Sequence, residues 1–325
     1  MSESEVSAAA LECALRHVVA GAKGTFAFYV HDLDGGVRVA IRAGESFPAA
    51  SVIKLPILLR ALEMVAAGEA RLDQRLRLTA WHKTGGSGVL QHFHDGLEMT
   101  LEDACTAMIA LSDNTATNVV LDVTGVDSVN ALLDRLGCPR TRLHRYLGKP
   151  DMPGPAGPNQ AVPREIGWLL EMLVRREILT PELCQTAMVM LRRQSHRALI
   201  PRLLPERTAV AHKTGSLDGV RHDVGILWRP DTSAGTSLGA RAHGSAPPDA
   251  GGAATPAAVP GVPSGVMHME KEGFAPGHPV VLVAMSRDVA DLRWTVENEA
   301  ERTIAQAAKV IFDHLMKNEE RRTKN

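Results

Sequence analysis

The chain has 325 residues, 45% of them hydrophobic and 22% charged; that is enough apolar material for one large core or two packed lobes and excludes global disorder. A formal net charge of −1 supplies no long-range field to gather nucleic acid or an anionic membrane surface, so the expected partner is a small molecule. No stretch reaches the roughly 18 unbroken apolar residues of a membrane helix, and the acidic, amphipathic start lacks the features of a secretory leader, which predicts a soluble, cytoplasmic protein.

After a first amphipathic helix, Gly24 to His31 and Val37 to Ile41 read as two strands joined by the turn Asp34-Gly35-Gly36. From Ser51 to about Leu203 the pattern is helical, with Thr100-Leu101-Glu102-Asp103 capping one apolar run and Gly137 just past another. Strand patterns return at Thr208 to Thr214, Val220 to Trp228 and Pro279 to Ser286, ahead of a long amphipathic helix over Asp291 to Met316. This order predicts a single α+β domain over 1–325. Its antiparallel sheet is flanked by the terminal helices (1–50 and 204–325), and an all-α lobe (51–203) is inserted between the strands. Residues 231–278 are rich in Ala, Gly and Pro and nearly free of large apolar side chains, which predicts a disordered loop. Strand direction sends that loop to the end of the sheet away from Gly215 and Ser216, so it is not expected to act as a lid. Cys13, Cys105, Cys138 and Cys184 form no C-x-x-C pair and are expected to be reduced and buried.

Ser51-Val52-Ile53-Lys54 opens a helix that is apolar almost all round from Leu55 to Val65, so Lys54 is carried into the interior. The i to i+3 spacing puts the Ser51 hydroxyl and the Lys54 amine on one face, where desolvation lowers the amine pKa toward proton acceptance. S-x-x-K alone arises about once by chance in a chain of this size. It is accompanied by Ser112-Asp113-Asn114, between two apolar helices, and by Lys213-Thr214-Gly215, closing a strand. Each tripeptide is expected fewer than about 0.1 times by chance. Lys83-Thr84-Gly85 repeats the second tripeptide but precedes Ser112 and lies in a Gly-rich loop. In this order and at these gaps the motifs resemble those of class A β-lactamases, within the β-lactamase and penicillin-binding protein superfamily. The resemblance spans nearly the whole chain outside 231–278.

The resemblance implies a serine hydrolase that opens a β-lactam amide, or a related amide or ester, through an acyl-enzyme and without a cofactor or metal. It implies Ser51 as nucleophile, Lys54 and Ser112 as proton carriers, and Asn114 as a contact for the substrate's side-chain amide. Lys213 would add positive charge beside Ser112 in the substrate site and Thr214 would bind the substrate carboxylate, with Arg221 a further candidate for it, and the backbone N–H groups of Ser51 and Ser216 would form the oxyanion hole. One departure stands out. The deacylating glutamate that follows T-R-L-x-R in the fast hydrolases is Leu147 in the run Thr141-Arg142-Leu143-His144-Arg145-Tyr146-Leu147. Asp151 is the nearest downstream carboxylate, and Glu165, after Pro163-Arg164, reads as first-turn helix chemistry. Acylation of Ser51 is therefore expected, with slow release. A D,D-peptidase-like or transacylase activity and a non-enzymatic sensor acylated once by a β-lactam stay open. His92-Phe93-His94-Asp95 lacks the spacing of metallo-hydrolases and reads as surface.

Overall fold

Helix α1 (Glu3–Val19) starts at a capping box: the Ser2 hydroxyl accepts from the Glu5 N–H while the Glu5 carboxylate accepts from the Ser2 N–H. Strands β1 (Thr25–Asp32) and β2 (Arg38–Ile41) form the expected hairpin. The Asp32 carboxylate closes its turn by accepting from the Gly35 N–H at 3.1 Å. These elements belong to a computed structural model that describes residues 2–151, 157–230 and 274–322, with side chains to Glu319. Most of the predicted disordered loop, residues 231–273, lies outside the described residues.

A two-residue strand β3 (Phe47–Pro48) leads to a 3-10 turn over Ala50–Ile53 and then to helix α2 (Lys54–Ala66). Strands β4 (Arg75–Arg77) and β5 (Glu98–Thr100) pair with each other ahead of α3 (Leu101–Ala110), α4 (Asn114–Thr124) and α5 (Val126–Arg135). Strand β6 (Gln160–Ala161) pairs with β3 and precedes α6 (Pro163–Val174) and α7 (Pro181–Arg192). The inserted lobe is helical as expected apart from β4, β5 and β6, which run only two or three residues, too short for alternation to register in a sequence.

The chain returns to the sheet through β7 (Val210–Leu217), β8 (Val220–Arg229) and β9 (His278–Arg287), and ends in α8 (Glu299–Arg322). All pairings in the five-stranded sheet are antiparallel, in the order β2-β1-β9-β8-β7. Strand β1 explains the layering. Phe26, Phe28 and Val30 join Leu11, Leu15, Ile304 and Ile311 in a core under the terminal helices. The intervening Ala27 and Tyr29 join Ile57, Leu58 and Leu169 in a second core under the inserted lobe. The sheet is therefore a wall between two apolar layers, and β1 and β8 are buried almost end to end.

Two local expectations are corrected. The last helix begins at Glu299 instead of Asp291, because the Asn298 side chain accepts from the Ala300 N–H at 3.0 Å and starts the helix there. Asp291 to Asn298 is instead a loop in which the Asp291 carboxylate accepts from the side chain of Arg293 and the N–H of Glu299. Cys13 is exposed on α1, whereas Cys105, Cys138 and Cys184 are buried; all four are free thiols. Burial pushes the Cys105 thiol up to about 12, so it packs as a small apolar side chain.

Candidate active site

Three elements converge where the sheet edge meets the inserted lobe: the start of α2, the turn between α3 and α4, and β7. The approach is close. A Cβ on Gly215 would lie 3.1 Å from the Ser51 nitrogen and 3.2 Å from the Ala50 Cβ, so glycine lets β7 lie against the turn that carries Ser51 without displacing it by a few tenths of an ångström. Ala50, just before Ser51, and Ser112 both hold left-handed backbone, at φ 46 and 53. Such conformations cost about 1–3 kcal/mol each and persist where surrounding contacts enforce them. For Ser112 those contacts come from its neighbour. The buried Asp113 carboxylate accepts from Ala116 N at 2.8 Å, capping α4, and from Val89 N and Leu90 N at 2.7 and 2.9 Å. Gly88 permits that last approach, since a Cβ there would fall 2.2 Å from Asp113.

Lys54 is fully buried. Its Nζ lies 2.6 Å from the Ser112 carbonyl oxygen, 2.7 Å from Asn114 Oδ1 and 3.2 Å from Ser112 Oγ. Lys213, also fully buried, places its Nζ 3.0 Å from the same Ser112 Oγ and 2.8 Å from the Thr214 carbonyl. Desolvation holds the Lys54 amine well below the usual lysine range, and the positive charge of Lys213 pushes the same way against the opposing pull of Asp113. Burial likewise brings Lys213 down to about 7, with Asp223 acting in the opposite direction.

Three oxygens surround the Lys54 amine: the Ser112 carbonyl and Asn114 Oδ1, which can only accept, and the Ser112 hydroxyl. Donation from Asn114 Nδ2 to the Gly85 carbonyl at 2.9 Å fixes the amide so that Oδ1 faces Lys54.

Ser51, Asn114 and Ser216 open into a groove of about 650 Å³ that is also lined by Leu147, Asn159 and Trp294. Among the described residues, none that line it is a carboxylate. Leu147 is held by its backbone: its N–H donates to Asn118 Oδ1 at 2.9 Å and its carbonyl accepts from Asn118 Nδ2 at 3.0 Å. Glu165 is occupied elsewhere, accepting from Arg140 N and Thr141 N at 3.1 and 2.6 Å, and Asp151 is exposed outside the groove lining.

Of the sequence-derived candidates, Ser51, Lys54, Ser112, Asn114, Lys213, Thr214 and Ser216 come together. Arg221 is corrected. It is the cross-strand partner of Ser216, yet its side chain is 1% exposed. Its guanidinium is taken up by the carbonyls of Leu217, Val220 and Arg293, with Glu301 at 3.3 Å and the Trp294 ring stacked 4.6 Å away. A substrate carboxylate does not reach it in this arrangement. Lys83 of the second K-T-G pairs with Asp95, and His92 and His94 are exposed.

Sequence reading missed four contributors. The Asn159 carbonyl accepts from Ala49 N at 2.7 Å, and its side chain accepts from His144 N at 2.7 Å, tying the Leu147 segment to the residues before Ser51. His222, lowered to about 4 by burial, donates from Nε2 to the Pro48 carbonyl at 2.7 Å. Ser87 and Trp294 line the groove from loops. None of these lies in a short motif that could have marked it, and the strand and helix patterns read over His222 and Trp294 carry no sign of a role at the groove.

The model of the beta-lactamase enzyme family matches residues 10–240. The chain belongs to this family. It is 30% identical over 210 residues to a β-lactamase of Amycolatopsis lactamdurans, covering 62% of this chain and 68% of that protein. It is 29% identical over 211 residues to one of Streptomyces fradiae, with the same coverage. Among solved structures, a β-lactamase from Sphaerobacter thermophilus superposes with a TM-score of 0.71 at 28% identity, over 95% of this chain and 96% of that one. A mutant of PBP-A, in acyl-enzyme complex with penicillin G, superposes with a TM-score of 0.74 at 22% identity, over 95% and 97%, and shares the fold. This β-lactamase-family chain is thus a hydrolase of the serine β-lactamase type, built on the α+β fold expected from its sequence. Among the described residues, no helix is long and apolar enough to cross a membrane.

Proposed function

We propose that this enzyme is acylated at Ser51 by β-lactams or related amides and esters and releases the acyl group slowly. The observation that carries this reading is the arrangement at Ser112. Two buried lysines, one of them held by desolvation well below the usual lysine range, meet at its Oγ, at 3.2 and 3.0 Å.

Lys54 takes the Ser51 proton as Oγ attacks the carbonyl carbon, and the N–H groups of Ser51 and Ser216 receive the developing oxyanion. The C–N bond then breaks. Ser112 passes a proton to the leaving nitrogen and is re-protonated from Lys54, so the proton removed from Ser51 ends on the nitrogen. Asn114 receives the side-chain amide, while Thr214 and the positive charge of Lys213 receive the carboxylate.

Hydrolysis of the ester needs a base for water. In this groove Leu147 stands on the wall where the sequence comparison expects the carboxylate, so the acyl-enzyme persists. A second reading, D,D-peptidase-like or transacylase chemistry, draws on the same Leu147: deacylation to an amine acceptor through Lys54 and Ser112 needs no glutamate.

Intact mass spectrometry after mixing with benzylpenicillin tests both. The expected result is a one-to-one adduct that lasts minutes or longer and is absent in Ser51→Ala. No adduct at any time, with no turnover of a chromogenic cephalosporin or an ester, would sink the proposal. Faster adduct loss on adding a D-amino acid acceptor would favour the transacylase reading.

A further inference from the structure

Trp294 is an unusual residue to leave in water. It is 65% exposed, yet every part of its setting is fixed. The indole N–H donates to Asp218 Oδ1 at 3.1 Å, and one ring face stacks on the Arg221 guanidinium at 4.6 Å. The backbone just before it is clamped: the Arg293 carbonyl accepts from Arg221 Nη2 at 2.9 Å and from Asn298 Nδ2 at 3.0 Å. The Arg293 side chain in turn donates to Asp291 at 2.9 and 2.7 Å. An anchored indole with one face open, lining the groove beside Ser216 and the half-exposed Leu217, is a preformed apolar surface inside the substrate site.

Two features set what it would hold. Arg221 is the cross-strand partner of Ser216, so the indole over it flanks the part of the groove where Thr214 and Lys213 would hold the substrate carboxylate. The guanidinium beneath the ring also draws on its electron-rich face, which reduces repulsion of a planar group conjugated to an anion on the open side.

We propose that Trp294 is a specificity residue that favours acyl donors carrying a planar apolar substituent next to their carboxylate. This rests on the acylation reading for its chemistry but on the indole's own contacts for its location. The same stacking removes Arg221 from substrate binding and makes Trp294 its replacement on this wall.

The test compares a 3-arylvinyl cephalosporin with a 3-methyl cephalosporin bearing the same acyl side chain. Their acylation rates are measured in the unmodified enzyme, Trp294→Phe and Trp294→Ala. The rate ratio, aryl over methyl, is expected to fall about tenfold in Trp294→Ala, equivalent to about 1.4 kcal/mol, and to be largely kept in Trp294→Phe. Dividing each ratio by that of the unmodified enzyme cancels the intrinsic reactivity of the two lactams. Equal change for both would overturn the proposal: an equal gain would mean that the indole only screens Arg221, and an equal loss that it only supports the loop. Equilibrium binding of the same pair to Ser51→Ala separates this from the acylation reading. Preferential binding of the aryl compound with no acylation of the unmodified enzyme would sink acylation alone, and indistinguishable binding of the two would sink the role of Trp294.

Discussion

The two sides of the groove are made differently. On the side of Ser51, Lys54, Ser112 and Lys213 the functional groups sit on helix starts and the edge strand β7, with two fully buried and electrostatically costly lysines. On the side of Leu147 and Asn159 the wall is loop, held by amide-to-backbone hydrogen bonds from Asn118 and Asn159, and among the described residues it brings no carboxylate to the groove. On the proposed reading the first side forms the acyl-enzyme and the second lacks a base to hydrolyse it, so acylation and release would be separable, set by different segments.

Breaking the packed side has the largest expected effect. Lys213→Met should reduce the acylation rate by about 100-fold or more, since it removes the positive charge beside Ser112. The same change should stabilise the protein. The Lys213 pKa is depressed from 10.5 to about 7 in the folded state, so below pH 7 the folded protein carries the charge buried, and between pH 7 and 10.5 folding excludes a proton that the unfolded chain still binds. That penalty is fully present below pH 7 and is relieved as pH rises toward 10.5. Denaturant melts should therefore show the gain of Lys213→Met over the unmodified protein shrinking by about 2–3 kcal/mol between pH 6 and pH 9. A gain independent of pH would mean that Lys213 is not held near neutrality. In the unmodified enzyme, acylation should decline as pH rises above about 7, when Lys213 loses its proton.

Altering the loop side sharpens the contrast. Leu147→Glu places a carboxylate on the groove wall and should shorten the adduct lifetime, read by intact mass, by about tenfold or more while acylation changes much less. An unchanged lifetime would show that release is limited by something other than the missing base. The smallest effect is expected outside both sides. Lys83→Ala, in the second K-T-G, should leave acylation within about twofold, because Lys83 pairs with Asp95 and the Phe93 carbonyl away from Ser112.

The legible parts of the site were those carried by local periodicity. Ser51 and Lys54 fall one helical turn apart, Ser112 to Asn114 sit at a helix boundary, and Lys213 to Ser216 lie along one strand, so motif and element reinforce each other. Arg221 was misjudged for the opposite reason. Its strand position is right, but the direction of a long side chain is decided by what packs on it, here Trp294 and the Arg293 carbonyl, which arrive from 72 or more positions later in the chain. Asn159 was invisible because loop residues obey no period, and Trp294 because the helical pattern was read from Asp291 whereas the helix starts at Glu299.

By itself, the sequence determined the strand and helix order, the burial of Lys54 within an apolar helix, and the leucine where a base would stand, because each is a matter of neighbours within one element. Only the tertiary structure decided that two buried lysines share one serine hydroxyl, that Arg221 is withdrawn and that Trp294 takes its wall. Those outcomes depend on which side chains compete for the same volume and the same hydrogen bonds, and that competition exists only after the sheet and the inserted lobe have closed on each other.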